Sequence, residues 1–200
     1  MSYNIEYTNK EILLLIIENT LRMLSNRNLF DPNNIESYLL NINESKNIFE
    51  IKLNNNSLCG IYLLNTPITT IISGTPLDEY LSENINIHKI LIAKSVSKKV
   101  VKQLYQEYKN VEFFFDIELL VDKQSIQFVP KHRILCKEEI ANLNIEEMSL
   151  SILKLFDAMV RYYNGKVGDI FEIIRPSIVA GYSVEYKKVM SSSFDIIFPN

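Results

Sequence analysis

Val129-Pro130-Lys131-His132-Arg133-Ile134-Leu135-Cys136-Lys137-Glu138-Glu139 is the stretch on which the reading of this chain turns. Pro130 keeps Val129 extended and out of a helix, so a boundary between two units falls here, near Phe128. Cys136 to Glu139 has the spacing of a capping box, with Cys where Ser or Thr is usual. Sulfur is a poor acceptor, so a weak cap is expected. Beyond it the chain reads as a compact α+β unit. Helices are expected over 137–143 and 149–163, and strands over 170–174 and 183–189. Asn164-Gly165 and Gly168-Asp169 punctuate the unit, and Ala180-Gly181 allows a turn between its last strands. Gly168 and Gly181 suit positions where a side chain would strain the backbone. Pro176, just after Arg175, belongs at a strand end or edge because it removes a donor.

Working upstream, residues 1–127 mix helices and strands in an α/β manner. Thr8-Asn9-Lys10-Glu11 is a capping box before a broad apolar helix face of Ile12, Leu13, Leu15, Ile16, Leu21 and Leu24. Asp31-Pro32-Asn33-Asn34 starts a short second helix with Ile35, Tyr38 and Leu39 inward. Strands follow over 49–53 and 58–64, with Asn54-Asn55-Asn56-Ser57 as turn chemistry between them. A short helix over 77–81 and a strand over 87–93 come next. Ser95 or Ser97 can cap a helix that runs to about Tyr108, with Val100, Val101, Leu104, Tyr105 and Tyr108 inward. Lys94, Lys98, Lys102 and Lys109 recur at helical spacing on its other face. Residues 111–121 alternate, with Val111, Phe113, Phe115, Ile117, Leu119 and Val121 inward and Glu112, Asp116 and Glu118 outward, which predicts a long strand.

The bulk composition narrows the function classes. The chain has 200 residues, 47% of them hydrophobic, enough for one ordinary domain or two small ones with real cores. Net charge is −3, with 12 basic against 15 acidic residues in 1–127 and 9 against 9 in 128–200. Neither part is basic, which disfavours a free-standing DNA binder held by phosphate contacts. Cys59 and Cys136 form no CxxC pair, and His88 and His132 are not at metal-ligand spacing, so no zinc site is expected. The apolar run Ile12 to Ile17 is too short to span a membrane, and no phosphate-binding glycine loop or nucleophile elbow is present.

The stretch quoted first resembles the opening of the C-terminal domain of the fifth subunit of eukaryotic and large-DNA-virus RNA polymerases. The archaeal polymerase member of that family, which lacks the jaw domain, begins with the same opening. Asp157, Arg161, Tyr162, Lys166, Gly168, Ile173-Ile174-Arg175-Pro176-Ser177, Ala180-Gly181 and Tyr186 then follow in the family's order. The order of elements in 1–127 is similar to the jaw domain of the eukaryotic and viral members. The sequence departs from the family at three places. Asp157-Ala158 stands for Asp-Pro, Ser177-Ile178-Val179-Ala180-Gly181 for Ser-Glu-Thr-Ala-Gly, and the shorter Lys94-Ser95-Val96-Ser97-Lys98-Lys99 for a stretch with Thr-Pro-Ser-Ala.

The resemblance implies a fold and a role. The fold is an α/β jaw domain of nuclease-like topology, 1–127, followed by a small α+β assembly domain, 128–200, with a C-terminal extension from about 190. The role is that of a non-catalytic subunit of a DNA-directed RNA polymerase, without cofactor or metal. The C-terminal domain would dock on the largest subunit through Pro130, His132, Arg161, Arg175, Pro176, Ser177, Gly181 and Tyr186. The jaw would lie beside downstream duplex DNA, touching it weakly and without sequence preference through Lys94, Ser95, Ser97, Lys98, Lys99 and Lys102. Other polymerase subunits are partners; a membrane or a second copy of the chain is not. The protein would sit at the site of transcription, in the nucleus or, for a virus, in the cytoplasmic factory and virion.

Simpler readings stand beside these. The lysines can be a solvated helix face, Arg175 a surface strand residue with an ordinary ion pair, and His132 a satisfied loop residue. Two other functions remain open. One is a stand-alone transcription regulator that borrowed the domain. The other is a metal-dependent nuclease built on Glu50-Ile51-Lys52, although strand 58–64 supplies no aspartate to complete a metal box. The tail residues Phe194, Ile196, Ile197 and Phe198 are costly to leave bare and should pack on the body or on a neighbour.

Overall fold

The computed structural model describes residues 8–43, 45–64, 66–143, 149–177 and 179–198. Two compact units divide the chain, Met1–Asp122 and Lys123–Asn200. No described helix is long and apolar enough to cross a membrane.

In the first unit, helix α1 (Asn9–Asn26) begins on the expected capping box. The Thr8 N–H donates to Glu11 Oε2 at 2.7 Å, and the Glu11 N–H donates to Thr8 Oγ1 at 3.3 Å. It stops where Asn28 takes a positive φ of 59°. The Asn28 N–H then reaches Ser25 O and the Leu29 N–H reaches Leu24 O, a Schellman closure. A 3₁₀ turn (Pro32–Asn34) leads into α2 (Ile35–Leu40). Strands β1 (Ile48–Lys52) and β2 (Leu58–Leu64) form an antiparallel hairpin. α3 (Pro76–Ser82), β3 (His88–Ala93), α4 (Lys98–Glu107) and β4 (Val111–Phe115) complete a sheet of order β1-β2-β3-β4, with β2, β3 and β4 parallel. Parallel neighbours need crossovers, and the α3 and α4 segments supply them.

The long strand expected over 111–121 ends at Phe115. A 3₁₀ turn (Asp116–Leu119) follows, with the Glu118 carboxylate accepting the Phe115 N–H at 2.9 Å. Within β4 the alternation also fails: Glu112, Phe113 and Phe114 are all buried. The strand is covered on both faces, so period-2 patterning has no exposed side to mark.

Glu112 is the notable departure. Its carboxylate accepts from both Nη atoms of Arg27, at 2.7 and 2.8 Å, and lies 2.6 Å from His88 Nε2. Burial pushes this carboxyl up, but the Arg27 charge and the hydrogen bonds from His88 and Arg27 outweigh burial and hold it at about 2. The sequence read Glu112 as a solvent-facing residue. The structure makes it the buried end of a bidentate pair that ties the C-terminus of α1 to β4.

In the second unit, β5 (Lys131–Ile134), α5 (Lys137–Asn142), β6 (Ser151–Lys154), α6 (Ala158–Tyr162), β7 (Ile170–Ser177) and β8 (Gly181–Met190) build a sheet of order β5-β7-β8-β6. The helix expected over 149–163 is instead a strand followed by one short helix. Ser151–Lys154 pairs in parallel with residues 187–190 of β8, and the Leu155 N–H continues to Met190 O. Asp157 then caps α6 by accepting the Met159 N–H at 2.9 Å. Tertiary pairing overrides helix propensity here.

Val160, Phe171, Ile173 and Val189 are the core of this unit. Gly165 is required beside it, since a Cβ there would lie 2.9 Å from the Phe171 ring. The expected glycine turns are present, with φ 98° at Gly168 and 74° at Gly181. In the tail, Ile197 is buried, whereas Ile196 is exposed. Ser192 Oγ accepts the Phe156 N–H at 3.3 Å.

Removing Arg27 strands a buried carboxylate, so Arg27→Ala should destabilise the first unit by about 3–5 kcal/mol in urea unfolding. Because the folded pKa of Glu112 is depressed, its contribution is present above its ordinary value of 4.5 and is lost as pH falls towards about 2. Acid titration of wild-type stability should show a loss of about 3 kcal/mol across that window. In Glu112→Gln that component should be missing.

Candidate docking surface and basic surface

Directly opposed residues in antiparallel strands share a face, so the register of the second sheet sorts its side chains. Phe171 and Ile173 lie opposite Lys187 and Glu185 on β8, and opposite Ile134 and His132 on β5. This face carries the core. The other face carries Glu172, Ile174 and Pro176 of β7, Tyr186, Val184 and Tyr182 of β8, and Arg133 of β5. Arg133 fastens this side, with Nε 2.6 Å from Glu172 Oε2 and Nη1 2.5 Å from Glu139 Oε1. Glu139 also accepts the Cys136 N–H at 2.9 Å, the carboxylate half of the expected capping box.

Pairing coverage is uneven. β7 and β8 pair from Ile170↔Lys188 to Ser177↔Gly181. β5 covers only residues 171–174 of β7, and β6 covers only 187–190 of β8. The far end, Arg175 to Ser177 with Gly181 to Ser183, is a two-stranded ribbon, and such ribbons are marginal in water. Along Val184 to Tyr186 β5 backs β7, but β6 does not reach the outer edge of β8. This stretch of β8 leaves Tyr182 71% and Val184 52% exposed. Neither residue was singled out in the sequence, although Tyr182, Val184 and Tyr186 alternate at a spacing of two.

The expected docking residues fall as follows. Arg175, Pro176, Ser177 and Gly181 are together at the ribbon end. Tyr186 is at its base, its hydroxyl 3.5 Å from Glu172 Oε1. Arg175 is half exposed and 3.6 Å from Glu185, which Lys187 also approaches at 3.2 Å. Exposed pairs of this kind contribute little to stability. His132 is half-buried, its Nδ1 is 2.7 Å from Pro130 O, and its ring meets Phe171 edge-on. Burial holds its pKa below the ordinary imidazole range, against the Pro130 contact, which raises it. Arg161 is only 7% exposed, so its guanidinium belongs to the packing of the unit more than to its surface.

In the first unit, α4 starts at Lys98 and ends before Tyr108, so the single helical row of four lysines is not realised. Lys94 follows β3, and Lys109 follows the helix end. Lys98, Lys99 and Lys102 are exposed on α4, whose Val100, Val101 and Leu104 are buried. Tyr105, expected inward, is exposed. Ser95 is exposed. Ser97 is committed to the cap: its Oγ accepts the Val100 N–H at 3.3 Å and donates to Thr69 O at 2.9 Å. Glu50 and Lys52 are exposed on β1, opposite Gly60 and Leu58, neither of which has a ligating side chain. No group of metal-ligating side chains occurs among the described residues.

The RNA polymerase Rpb5 C-terminal domain family matches residues 121–189. The chain is 28% identical over 195 residues to DNA-directed RNA polymerase subunit 5 of Acanthamoeba polyphaga mimivirus, covering 92% of this chain and 94% of that one. It is 29% identical over 133 residues to the subunit rpabc1 of RNA polymerases I, II and III of Dictyostelium discoideum, covering 60% and 68%. It is 38% identical over 71 residues to RNA polymerase subunit Rpo5 of Archaeoglobus fulgidus, covering 34% of this chain and 93% of that one.

Two lysines in the first turn of α4 oppose the helix dipole. Lys99→Glu should therefore raise the stability of the isolated chain by about 0.3–1 kcal/mol in thermal or urea unfolding. An unchanged or lowered stability would assign Lys99 a local structural role.

Proposed function

The chain belongs to the RNA polymerase Rpb5 family, and on that premise we propose that it serves as a non-catalytic subunit of a multisubunit DNA-directed RNA polymerase. The observation that carries the proposal is the ribbon of β7 and β8, the part of the family domain that offers apolar side chains and unpaired backbone to a partner. The assembly domain, 128–200, docks on the largest subunit through Pro130, His132, Arg175, Pro176, Ser177, Gly181 and Tyr186, with Tyr182 and Val184 added to that set and Arg161 supporting it from inside. Apolar and arginine contacts of this kind concentrate binding energy at interfaces.

The jaw domain, 1–127, with a nuclease-like arrangement of its sheet, lies beside downstream duplex. Lys94, Ser95, Lys98, Lys99 and Lys102 approach its phosphates without reading bases. The exposure of Lys98, Lys99 and Lys102 on one stretch of α4 supports this. The chain has no active site of its own; nucleotide addition belongs to the large subunits. It works at the site of transcription, in the nucleus or, if the chain is viral, in the cytoplasmic factory and virion.

Affinity-tagged chain recovered from its native extract should carry the two large polymerase subunits at unit stoichiometry and sediment with transcribing particles. Substoichiometric recovery would mark a stand-alone regulator, and DNA cleavage by the chain alone with magnesium would mark a nuclease. In the assembled enzyme, Lys98→Glu with Lys99→Glu should lower the salt slope of elongation-complex stability by about 1–2, since each phosphate contact contributes roughly 0.9. An unchanged slope would remove these lysines from the DNA path.

A further inference from the structure

We propose that the free edge of β8, from Gly181 to Tyr186, receives an extended segment of the polymerase partner as an added β-strand; this rests on the polymerase-subunit reading and names its mode of docking.

The backbone directions follow from one residue. Pro176 has no N–H, so the Pro176↔Tyr182 rung cannot be a hydrogen-bonded pair. Bonded and non-bonded rungs alternate along an antiparallel ladder, so Ile174↔Val184 and Glu172↔Tyr186 are also non-bonded. The N–H and C=O groups of Tyr182, Val184 and Tyr186 therefore point away from β7. Two contacts at the other end agree with this parity. Val189 bonds back to the start of β7, receiving the Gly168 N–H and donating to Asp169 O, while Met190 O accepts from Leu155 after β6.

Residues 187–190 of this edge are covered by β6. Among the described residues, no strand pairs with residues 181–186 on the same side. The opposite edge of the ribbon, on β7, is interrupted by Pro176, which is how natural edges are closed to strand addition. The β8 edge carries no proline and exposes Tyr182 and Val184, the aromatic and β-branched types that pack well across a strand pair.

The edge also sets the chemistry of the occupant. Strands β5, β7 and β8 carry five basic residues, Lys131, Arg133, Arg175, Lys187 and Lys188, against Glu172 and Glu185. Arg133 is held by Glu172 and Glu139, Arg175 and Lys187 share Glu185, and a net positive charge remains. A strand that alternates apolar residues over Tyr182 and Val184, and brings carboxylates towards this excess, is the matching partner. Main-chain bonds would supply affinity and the alternate side chains specificity.

The test separates backbone from side-chain docking. Val184→Pro deletes an N–H that the β7–β8 ladder does not use, whereas Val184→Ala trims the side chain and keeps the N–H. Recovery of the large subunits with tagged full-length chain should fall on the order of tenfold or more for Val184→Pro, and only a few-fold for Val184→Ala. Hydrogen exchange of the wild-type chain covers the case in which the proline variant misfolds. The amides of Tyr182, Val184 and Tyr186 should exchange freely in the isolated chain and become protected in the assembled polymerase. If wild type co-purifies with the large subunits yet these three amides stay unprotected, strand addition is overturned and the subunit reading survives. If wild type fails to co-purify, both are overturned.

Discussion

The ladder between β7 and β8 is the spine of the C-terminal unit, and everything attached to that unit depends on its length relative to its neighbours. It runs from Ile170↔Lys188 to Ser177↔Gly181, while β5 covers only Phe171 to Ile174 and β6 only Lys187 to Met190, leaving the Ser177↔Gly181 end uncovered. Where β5 or β6 flanks the ladder, the buried Phe171, Ile173 and Val189 pack on Val160. Beyond β6 the outer edge of β8 has no described neighbour, and the side chains of Tyr182 and Val184 are left in water. Burying such a strip is favourable at about 25 cal/mol per Å² of apolar surface, and within the unit no described strand does so. The same unevenness that ends the core thus leaves the edge that we propose as the docking surface.

The first unit solves a different problem. Its parallel strands are buried on both faces, so a charged residue there must be paired. Glu112 meets that requirement through two hydrogen bonds from Arg27 and a short approach to His88. This pair locks α1 to the sheet and leaves α4 to present Lys98, Lys99 and Lys102 to solvent. In the proposed jaw role, exposed cations on this helix suit contact with duplex phosphates without preference for a particular sequence.

Much of this was legible in the residues. The capping box at Thr8, the hairpin turn before β2, the helix caps at Ser97 and Cys136, and the glycine turns at Gly168 and Gly181 rest on local chemistry, and local chemistry survives folding. The ordered residues from Pro130 to Tyr186 carried the family. What was not legible depended on distant partners. Residues 151–154 became a strand because β8, more than thirty positions away, needed a neighbour. The alternation over 111–121 concealed a strand buried on both sides and a 3₁₀ turn after it. Lys94 fell outside α4 because its cap at Ser97 fixes where it starts, and Lys109 because the helix ends at Glu107 before the extended Tyr108. Tyr182 and Val184 looked like ordinary strand residues, since nothing in their own sequence says that β6 stops short of them.

The most direct test of the central claim, that this chain enters a polymerase through the β7–β8 ribbon, is site-specific photo-crosslinking from position 182 in native, transcriptionally active particles. With a photoreactive amino acid in place of Tyr182, the account predicts one dominant adduct, to the largest subunit, in amounts that match the chain's occupancy of the particle. A chain that sits in active particles at full occupancy but forms no adduct from position 182 with any large subunit would contradict it.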